Sequence, residues 1–389
     1  MLRRIQRAIA AVCAAVLLVA PAAAQRFDPG SPQAIAPGVT LYHVTDQALL
    51  DPAAPVSVWL LRLDPARTRL RSSLANDEIM GTETVAGIAE RHQALAAINA
   101  GFFLPNGDPA GALTLDGHLV SDTQRPRGAV GIVESEPGQQ LLFARLRASI
   151  VLEIGGRTSD RIPIDGVDTT RARGKLMLFT PAYHSDTDTA AGGREWILDG
   201  HPLKVRGASR VAGKTPIPPS GYVLSYGGTS TPERLRRLRN GTRVALTTTY
   251  EAIEGPSDIW LRARDIVGGA GLLVRDGRAI DDWTIEQFAR GFAETRHPRT
   301  MIGTTSDGTI WLVTVDGRQP QLSAGMTLAE LRALASRLDL VNALNLDGGG
   351  STTMWVRGKI LNSPSDAAGP RKVSDALLVF SAPVAGDRL

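Results

Sequence analysis

The chain has 389 residues, and its 43 lysines and arginines exceed its 39 aspartates and glutamates by only four. Three of the arginines and no acidic residue lie in the first 24 residues, so without that segment the formal charge falls from +4 to +1. A nearly neutral balance excludes the broad basic surface typical of nucleic-acid-binding proteins. The single cysteine, Cys13, lies in the same segment, so the rest of the chain can form no disulfide and carry out no thiol chemistry.

The N-terminal segment has the organisation of a secretory signal peptide. A basic start (Met1–Arg7) precedes a short apolar run (Ala8–Ala20), and Ala22-Ala23-Ala24 forms a small-residue cleavage site before Gln25. The apolar run is shorter than the ~20 residues that span a bilayer, which favours cleavage over an uncleaved membrane anchor. We therefore expect a signal peptide over residues 1–24 and a bacterial protein that is periplasmic or secreted and has no membrane contact after cleavage.

The mature chain is predicted to be rich in β-strands. An extended leader over residues 25–38 is followed by one large domain over residues 39–385, which opens with strand-like runs at Val39–Val44 and Val56–Leu63. Asp-Gly pairs between apolar runs are the strongest short signal for a β-hairpin. They recur at Asp116-Gly117, Asp199-Gly200, Asp276-Gly277 and Asp307-Gly308, with Arg357-Gly358 similar. Antiparallel sheet should therefore dominate.

Two helices are predicted within this domain, near Thr84–Leu95 and at Thr327–Leu340. In the second, Thr327 and Glu330 have the spacing of a capping box ahead of an apolar helix face. The predicted fold class is therefore α+β, with mainly antiparallel β-sheets, many hairpins and a few packed helices in a single large domain.

The most informative stretch follows the second helix and is Leu344–Met354 (LNLDGGGSTTM). Side chains alternate along a strand, so Asn345 and Asp347 should point one way while the two leucines anchor the core. The three glycines Gly348, Gly349 and Gly350 allow backbone N–H groups to approach a ligand, and Ser351 and Thr352 add hydroxyls. The alternative is a glycine-rich hairpin turn, but a carboxylate, three glycines and hydroxyls together exceed what a turn needs.

Four further stretches supply candidate residues, each with a structural alternative. Asn99, Gly101 and Phe102 end an apolar run, where the aromatic ring could stack on a sugar or fill the core. Arg299 and Thr300 follow His297-Pro298, where the arginine could grip phosphate or pair with a surface carboxylate. Asp316-Gly317-Arg318 could be a catalytic element or another Asp-Gly hairpin, and the polar loop Asn362–Asp366, with Arg371 beyond it, could bind substrate or simply turn.

Several common catalytic patterns are missing from the sequence. It contains no Gly-x-Ser-x-Gly elbow, no His-x-x-x-His or cysteine pair for zinc, and no Gly-Lys-Ser/Thr phosphate loop. We therefore expect no cofactor and no metal, although carboxylates and asparagines leave Ca²⁺ open. The sequence does not indicate an oligomeric state.

Taken together, these stretches resemble the phosphodiester glycosidase (NAGPA) family in the order and spacing of their motifs over residues ~39–382. The matching segments are Ile98–Phe103, Ile266–Gly277, His297–Gly303, Val315–Gln319, Gly325–Leu331, Ala343–Met354 and Asn362–Asp366. The resemblance implies an exported hydrolase that cleaves a sugar–O–phosphate–O–R diester at the anomeric carbon and releases the sugar.

The resemblance also implies roles for the candidate residues. Asp347 would act as base toward water or as nucleophile, and Asp316 would be the second carboxylate. Arg299, helped by Arg318 and the amides of Gly348–Gly350, would hold the phosphate, because a phosphate leaving group needs charge stabilisation more than a strong acid. The remaining candidates would orient the sugar: Asn99, Gly101, Phe102, Thr300, Asn345, Ser351, Thr352 and Asp366. Two alternatives stay open, namely a glycosidase for exopolysaccharide or cell-wall glycan without phosphate, and a non-catalytic glycan-binding accessory protein.

Overall fold

The computed structural model describes residues 27–136, 138–155, 161–209 and 213–382. The predicted signal peptide, residues 1–24, lies outside these ranges. Within them strands dominate, and the two α-helices are α1 (Val85–Arg91) and α2 (Leu328–Arg337). The fold is thus β-dominated, which corrects the predicted α+β class. Short runs between glycines and prolines leave few segments long enough for a helix of three turns.

The strands of the described residues, in chain order, are β1 (Gln33–Ala36), β2 (Val39–Val44), β3 (Val58–Leu63), β4 (Thr68–Leu74), β5 (Glu83–Thr84), β6 (Ala96–Asn99), β7 (Leu113–Leu115), β8 (His118–Ser121), β9 (Thr123–Glu134), β10 (Gln139–Ile154), β11 (Arg161–Pro163), β12 (Gly166–Val167), β13 (Leu176–Phe179), β14 (Arg194–Asp199), β15 (Lys204–Ser209), β16 (Tyr222–Tyr226), β17 (Val244–Ala252), β18 (Asp265–Gly268), β19 (Leu272–Arg275), β20 (Arg278–Ala279), β21 (Arg299–Thr305), β22 (Ile310–Val315), β23 (Leu340–Asn345), β24 (Met354–Val356), β25 (Lys359–Ile360), β26 (Lys372–Val373) and β27 (Asp375–Ser381). Among the larger sheets, β12–β13 is the one parallel pair in the part of the chain that the structure describes.

An eight-stranded antiparallel sheet, in the order β1-β2-β3-β22-β21-β23-β19-β20, carries the main candidate motif. Alternation separates its two faces: Ile302, Leu312 and Leu344 pack into one core, whereas Met301 and Val313 pack with α2 into another. Because β22 and β23 both pair antiparallel to β21, they run in the same direction and end at the same edge of the sheet.

A five-stranded sheet, in the order β25-β24-β6-β27-β4, meets that edge. The end of β6 and the start of β27 are joined by the hydrogen bond from Ala100 N–H to the Asp375 carbonyl at 3.3 Å. Next to it, Asp347 N–H donates to the Ala100 carbonyl at 3.0 Å. Two sheets therefore deliver strand ends to one place. The seven-stranded sheet β11-β10-β9-β18-β7-β8, with β17 on β10, and the five-stranded sheet β12-β13-β16-β14-β15 form a third core.

The predicted elements hold with adjusted bounds. The strand over Val39–Val44 is β2 itself, whereas the next starts at Val58 rather than Val56. Both helices end earlier than predicted, since Gln93 and Asp339, shortly after them, have φ of 55° and 56° and cannot continue a right-handed helix.

Other predicted local features differ in detail. The capping box of Thr327 and Glu330 at the start of α2 is confirmed. The predicted leader is extended but not separate, because its residues 33–36 pair with β2 as the edge strand β1. Asp316-Gly317 does not form a hairpin: a loop with a bridge between Gln319 and Ser323 follows it.

Candidate active site

The glycine stretch forms a tight turn just beyond the end of β23. Its short 3-10 helix covers Gly349–Ser351, and Gly349 has φ of +62°, a left-handed conformation that favours glycine. A side chain at Gly348 would lie 2.6 Å from the Pro298 carbonyl oxygen. Only glycines allow the turn to approach the Pro298 backbone this closely. We call residues 347–351 the glycine turn.

Asp347 opens the glycine turn and is held through its backbone. Its N–H donates to the Ala100 carbonyl, and its own carbonyl accepts the Asn99 side-chain amide at 2.7 Å. One carboxyl oxygen, Oδ1, accepts the Gly348 N–H at 2.8 Å. The Ser351 hydroxyl lies near this carboxyl but has no hydrogen bond of normal geometry to any described residue. The Asp347 side chain is thus fixed in place while retaining free acceptor capacity.

The protonation of Asp347 is tuned toward neutral pH. Its partial burial raises the pKa of the carboxyl to about 6, against the opposing effect of the Gly348 N–H. The positive charge of Arg371 lowers this pKa and the negative charge of Asp375 raises it. A carboxyl with such a pKa can both take and return a proton at physiological pH, as general acid–base catalysis requires.

Two guanidinium groups lie over the glycines of the turn. A side chain at Gly349 would lie 3.0 Å from Arg318 Nη2, and one at Gly350 would collide with Arg371 and Asp366. Arg318 is exposed and makes no ion pair with any described residue. Arg371 makes a two-point ion pair with Asp366, Nε to Oδ2 at 2.8 Å and Nη2 to Oδ1 at 3.2 Å. The missing side chains thus leave room for two arginines beside one carboxylate.

His297 lies beside Arg318 and supports it. Burial, together with the positive charges of Arg299 and Arg318, lowers the pKa of the His297 imidazole. Its Nδ1 is 3.4 Å from Arg318 Nη2, and a neutral imidazole can accept a hydrogen bond there. His297 therefore orients the arginine without adding a competing positive charge at neutral pH.

Arg299 does not join this pair. Alternation along β21 places Thr300 toward Asn99 and puts Arg299 on the opposite face, with α2. Its guanidinium is buried and donates to three backbone carbonyls, of Met326 at 2.9 Å, Phe292 at 2.7 Å and Thr295 at 3.0 Å. Burial, reinforced by the charge of Arg318, lowers its pKa to about 10. Arg299 thus stabilises the backbone of residues 292–297. This geometry argues against its predicted role as the phosphate ligand.

Asp316 is also enclosed. It is 2% exposed; Oδ2 accepts the Ser57 hydroxyl at 2.8 Å, and Oδ1 accepts the Asn362 amide at 3.1 Å and the Ser363 N–H at 2.7 Å. Three donors occupy the carboxylate and bind three chain segments together. Asp316 therefore lies in a closed hydrogen-bond set rather than facing a substrate, contrary to its predicted role as the second catalytic carboxylate.

Several predicted sugar ligands form an internal clamp under the glycine turn. The Asn99 amide oxygen accepts the Thr300 hydroxyl at 2.7 Å and the Thr353 N–H at 3.2 Å, and the Asn345 amide donates to the Ala270 carbonyl at 2.7 Å. Asn345 lies opposite Met301, on the α2 face, and not with Asp347 as alternation predicted, because β23 ends before the aspartate. The members of this clamp are at most 1% exposed: Asn99, Thr300, Asn345, Ser351 and Thr352. Their burial favours a role in supporting the glycine turn over the predicted contact with a sugar.

Most backbone N–H groups of the glycine turn already donate hydrogen bonds within the protein. Gly348 N–H is bound by the Asp347 carboxyl, and Gly349 N–H donates to the Pro298 carbonyl at 2.9 Å. Two of the three amides predicted to hold phosphate are therefore occupied. Phe102 remains partly exposed, edge-on to Phe292 at 5.9 Å between ring centroids, so it keeps the option of contacting a sugar.

The sequence did not indicate Asp375 as a site residue. Asp375 is 1% exposed at the start of β27. In the sequence it is simply a polar residue that precedes an apolar strand. Its carboxylate accepts the Gly101 N–H, with Oδ1 at 3.0 Å and Oδ2 at 3.2 Å. The sequence separation of Asp375 from Asp347 does not predict their proximity. It arises from tertiary structure, because β27 pairs with β6 and the end of β6 contacts Asp347.

Two large cavities, of about 900 and 760 Å³, lie elsewhere, around residues 281–294 and 304–309. The described residues include no group of three or more histidines, cysteines or acids placed to hold a metal ion. No helix in the described ranges is long and apolar enough to cross a membrane.

Comparison with known proteins places the C-terminal half of the chain in context. The phosphodiester glycosidase family matches residues 199–380, a range that includes Arg318, Asp347, Arg371 and Asp375. The N-acetylglucosamine-1-phosphodiester alpha-N-acetylglucosaminidase of Mus musculus is 31% identical over 175 residues, which are 41% of this chain and 33% of that enzyme. The SPbeta prophage-derived uncharacterized protein YomE of Bacillus subtilis is 43% identical over 84 residues, 22% of this chain and 13% of that protein.

The chain thus spans 33% and 13% of the length of these two relatives. A crystal structure of a hypothetical protein from Synechocystis superposes with a TM-score of 0.74 at 25% identity, covering 89% of this chain and 62% of that chain. The similarity in fold therefore extends well beyond the segment that the family matches.

Proposed function

This chain belongs to the phosphodiester glycosidase family, and we propose that it is a hydrolase that cleaves the glycosidic bond of a sugar-1-phosphodiester. The nearest substrate type is a GlcNAc-phosphodiester on a periplasmic or extracellular glycan, since the mouse relative is named for that bond and the N-terminus reads as a signal peptide. The single observation that carries the proposal is the glycine turn: it begins with Asp347, whose pKa is raised to about 6, and its Gly349 and Gly350 lie against the guanidinium groups of Arg318 and Arg371.

The reaction follows from what these groups can do. Asp347, as the carboxylate, takes a proton from a water molecule whose oxygen bonds to the anomeric carbon. The bond from that carbon to the phosphate oxygen breaks, and its electron pair leaves with the phosphomonoester. Arg318 and Arg371 stabilise the negative charge that develops on the leaving oxygen. The products are a free sugar and a phosphomonoester.

The remaining predicted residues take narrower roles. Asp366 is committed to its ion pair and holds Arg371 over Gly350, so it acts on the substrate through that arginine. The partly exposed ring of Phe102 is the aromatic surface beside Gly101 that suits the apolar face of a sugar.

The test is a panel of compounds incubated with the chain starting at Gln25. The panel holds GlcNAc-1-phosphodiesters, the same diesters of other sugars, and a GlcNAc α-glycoside without phosphate, and ¹H and ³¹P NMR follow the free sugar and the phosphomonoester. We expect turnover of a phosphodiester by the wild type and a loss of at least about 10²-fold in Asp347→Asn, since a positioned base contributes about that much or more.

Other outcomes discriminate the competing functions. Equal turnover of the phosphate-free glycoside would contradict the phosphodiester proposal and favour a glycosidase for other exported glycans. Binding of the sugars by calorimetry without any turnover, unchanged in Asp347→Asn, would favour a glycan-binding accessory protein. The initial anomer seen by NMR separates water activation, which inverts configuration, from direct attack by Asp347, which retains it.

A further inference from the structure

Asp375 is a buried carboxylate with no cationic partner among the described residues. Besides the Gly101 N–H, its Oδ1 accepts the Ser374 hydroxyl at 2.9 Å, and it makes no salt bridge with any residue that the structure describes. A lone buried carboxylate is costly to keep charged, and such groups are rare in structures unless they serve a purpose.

One peptide unit joins Asp375 to Asp347. The Ala100–Gly101 peptide presents its N–H to the Asp375 carboxylate and its carbonyl to the Asp347 N–H. Because a peptide unit is planar and rigid, a shift of the Asp375 carboxylate moves the acceptor that holds the Asp347 backbone. Gly101 keeps this contact close, since a side chain there would lie 3.2 Å from Asp375 Oδ2.

The charges around the two carboxyls are few and can be named. Arg371, paired with Asp366, acts on Asp347 from the loop after β25, and Asp375 acts on it from β27. Burial raises the pKa of Asp375 to about 6, against the Ser374 hydroxyl and the Gly101 N–H, which lower it. Burial thus raises the pKa of both carboxyls to about 6, and the negative charge of Asp375 adds to the rise at Asp347.

We propose that Asp375 is a positioning residue for Asp347: through the Ala100–Gly101 peptide it fixes the Asp347 backbone, and its negative charge keeps the Asp347 carboxyl basic enough to take a proton from water. The proposal rests on the function proposed above for Asp347. It assigns to Asp375 no contact with the substrate.

Asp375→Asn tests both parts. The amide can still accept the Gly101 N–H, but the like charge is gone, so the pKa of Asp347 should fall by about one unit. The acid limb of kcat/KM on a GlcNAc-phosphodiester should move to lower pH by the same amount. The plateau kcat should fall about tenfold, because a weaker base transfers the proton less readily, while KM stays within about twofold.

A second readout does not depend on turnover. The Asp347 carboxyl is titrated by ¹³C NMR in protein labelled at the aspartate carboxyl carbons, with its signal identified by its loss in Asp347→Asn. If no diester is turned over, the proposed function fails, while the titration still reports whether Asp375 sets the proton affinity of Asp347. An Asp347 titration that is unchanged in Asp375→Asn overturns the proposal.

Matched variants guard against a merely structural effect. Asp265→Asn removes a buried carboxylate that also begins a strand and accepts backbone N–H groups, of Ser72 at 3.1 Å and Asp116 at 3.1 Å, although it differs from Asp375 in pairing with Arg71 at 3.0 Å. It should lower stability without moving the Asp347 titration. Should Asp375→Asn fail to fold, Ser374→Ala removes one donor to Asp375, favours its neutral form and should lower the pKa of Asp347 in the same direction by a smaller amount. No shift in Ser374→Ala would then contradict the proposal.

Discussion

Asp316 and Asp347 follow β22 and β23, which run in the same direction on either side of β21 and end at the same edge of one sheet, and each aspartate precedes a glycine. Their environments are opposite. Asp316 is 2% exposed with three donors on its two oxygens, whereas among the described residues the one donor of normal geometry on the Asp347 carboxyl is the N–H of Gly348. A carboxylate whose acceptor sites are filled by the protein ties segments together, while one that keeps free lone pairs next to cations is available to water and substrate.

The same contrast separates the arginines. Arg299 gives its donors to backbone carbonyls on the α2 face of the sheet, whereas Arg318 lies exposed beside Gly349 without an ion pair in the described ranges. A charged side chain of these motifs can interact with a substrate only if its hydrogen-bonding groups are not already occupied by the protein. Its residue type alone does not decide this.

The largest expected effect on activity among the tests of this contrast is that of Arg318→Ala. Removal of a donor that stabilises charge in the transition state should lower kcat/KM on the phosphodiester about 10²-fold. The loss should be small for a phosphate-free glycoside, because no phosphate charge develops. Steady-state kinetics on both compounds make the measurement.

Arg262→Ala is the matched control for that change, since Arg262 is also exposed and makes no ion pair with a described residue. It should leave kcat/KM within about twofold, as surface substitutions away from a site usually do little. Equal losses of kcat/KM in the two variants would contradict a role of Arg318 in the active site.

The second effect is on stability. Asp316→Asn places an amide where three donors converge, so at least one buried donor loses its partner, at a cost of about 1–3 kcal/mol. Urea unfolding should report this loss, while kcat per folded molecule stays within about threefold. A variant of unchanged stability would show that the hydrogen-bond set around Asp316 is not structural.

The smallest expected effect is on the pH dependence of stability, and it concerns Asp347. Because its folded pKa is raised to about 6 from 3.8, keeping Asp347 protonated favours the folded state at low pH, and this stabilisation is lost as pH rises through the folded pKa. Asp347→Asn cannot ionise, so it should be more stable than the wild type at pH 8 by about 1 kcal/mol, allowing for the partial exposure of the side chain.

The stability difference should close below about pH 4, where the wild-type carboxyl is protonated in both the folded and the unfolded state. Urea unfolding of the two proteins at several pH values measures the difference. A variant less stable than the wild type at every pH would contradict the pKa assigned to Asp347.

The sequence predicted the local structure of the site well and its spatial partners poorly. The turn after β23, its glycines and the α2 capping box follow from local rules of spacing and φ. By contrast, the enclosure of Asp316 depends on Ser57 and Asn362, which are distant in the chain, and the approach of Asp375 depends on pairing between β6 and β27. Alternation fixes which face a residue takes only within a strand, so it predicted neither the face of Arg299 relative to the turn nor the separation of Asn345 from Asp347.

The most direct test compares residual turnover in Asp347→Asn and Asp316→Asn, each divided by its folded fraction, on one GlcNAc-phosphodiester at pH 7. We expect Asp316→Asn to retain at least about 10² times the turnover of Asp347→Asn, because a positioned base usually contributes about that much. Equal losses in the two variants, or a larger loss in Asp316→Asn, would contradict the assignment of the chemistry to the glycine turn.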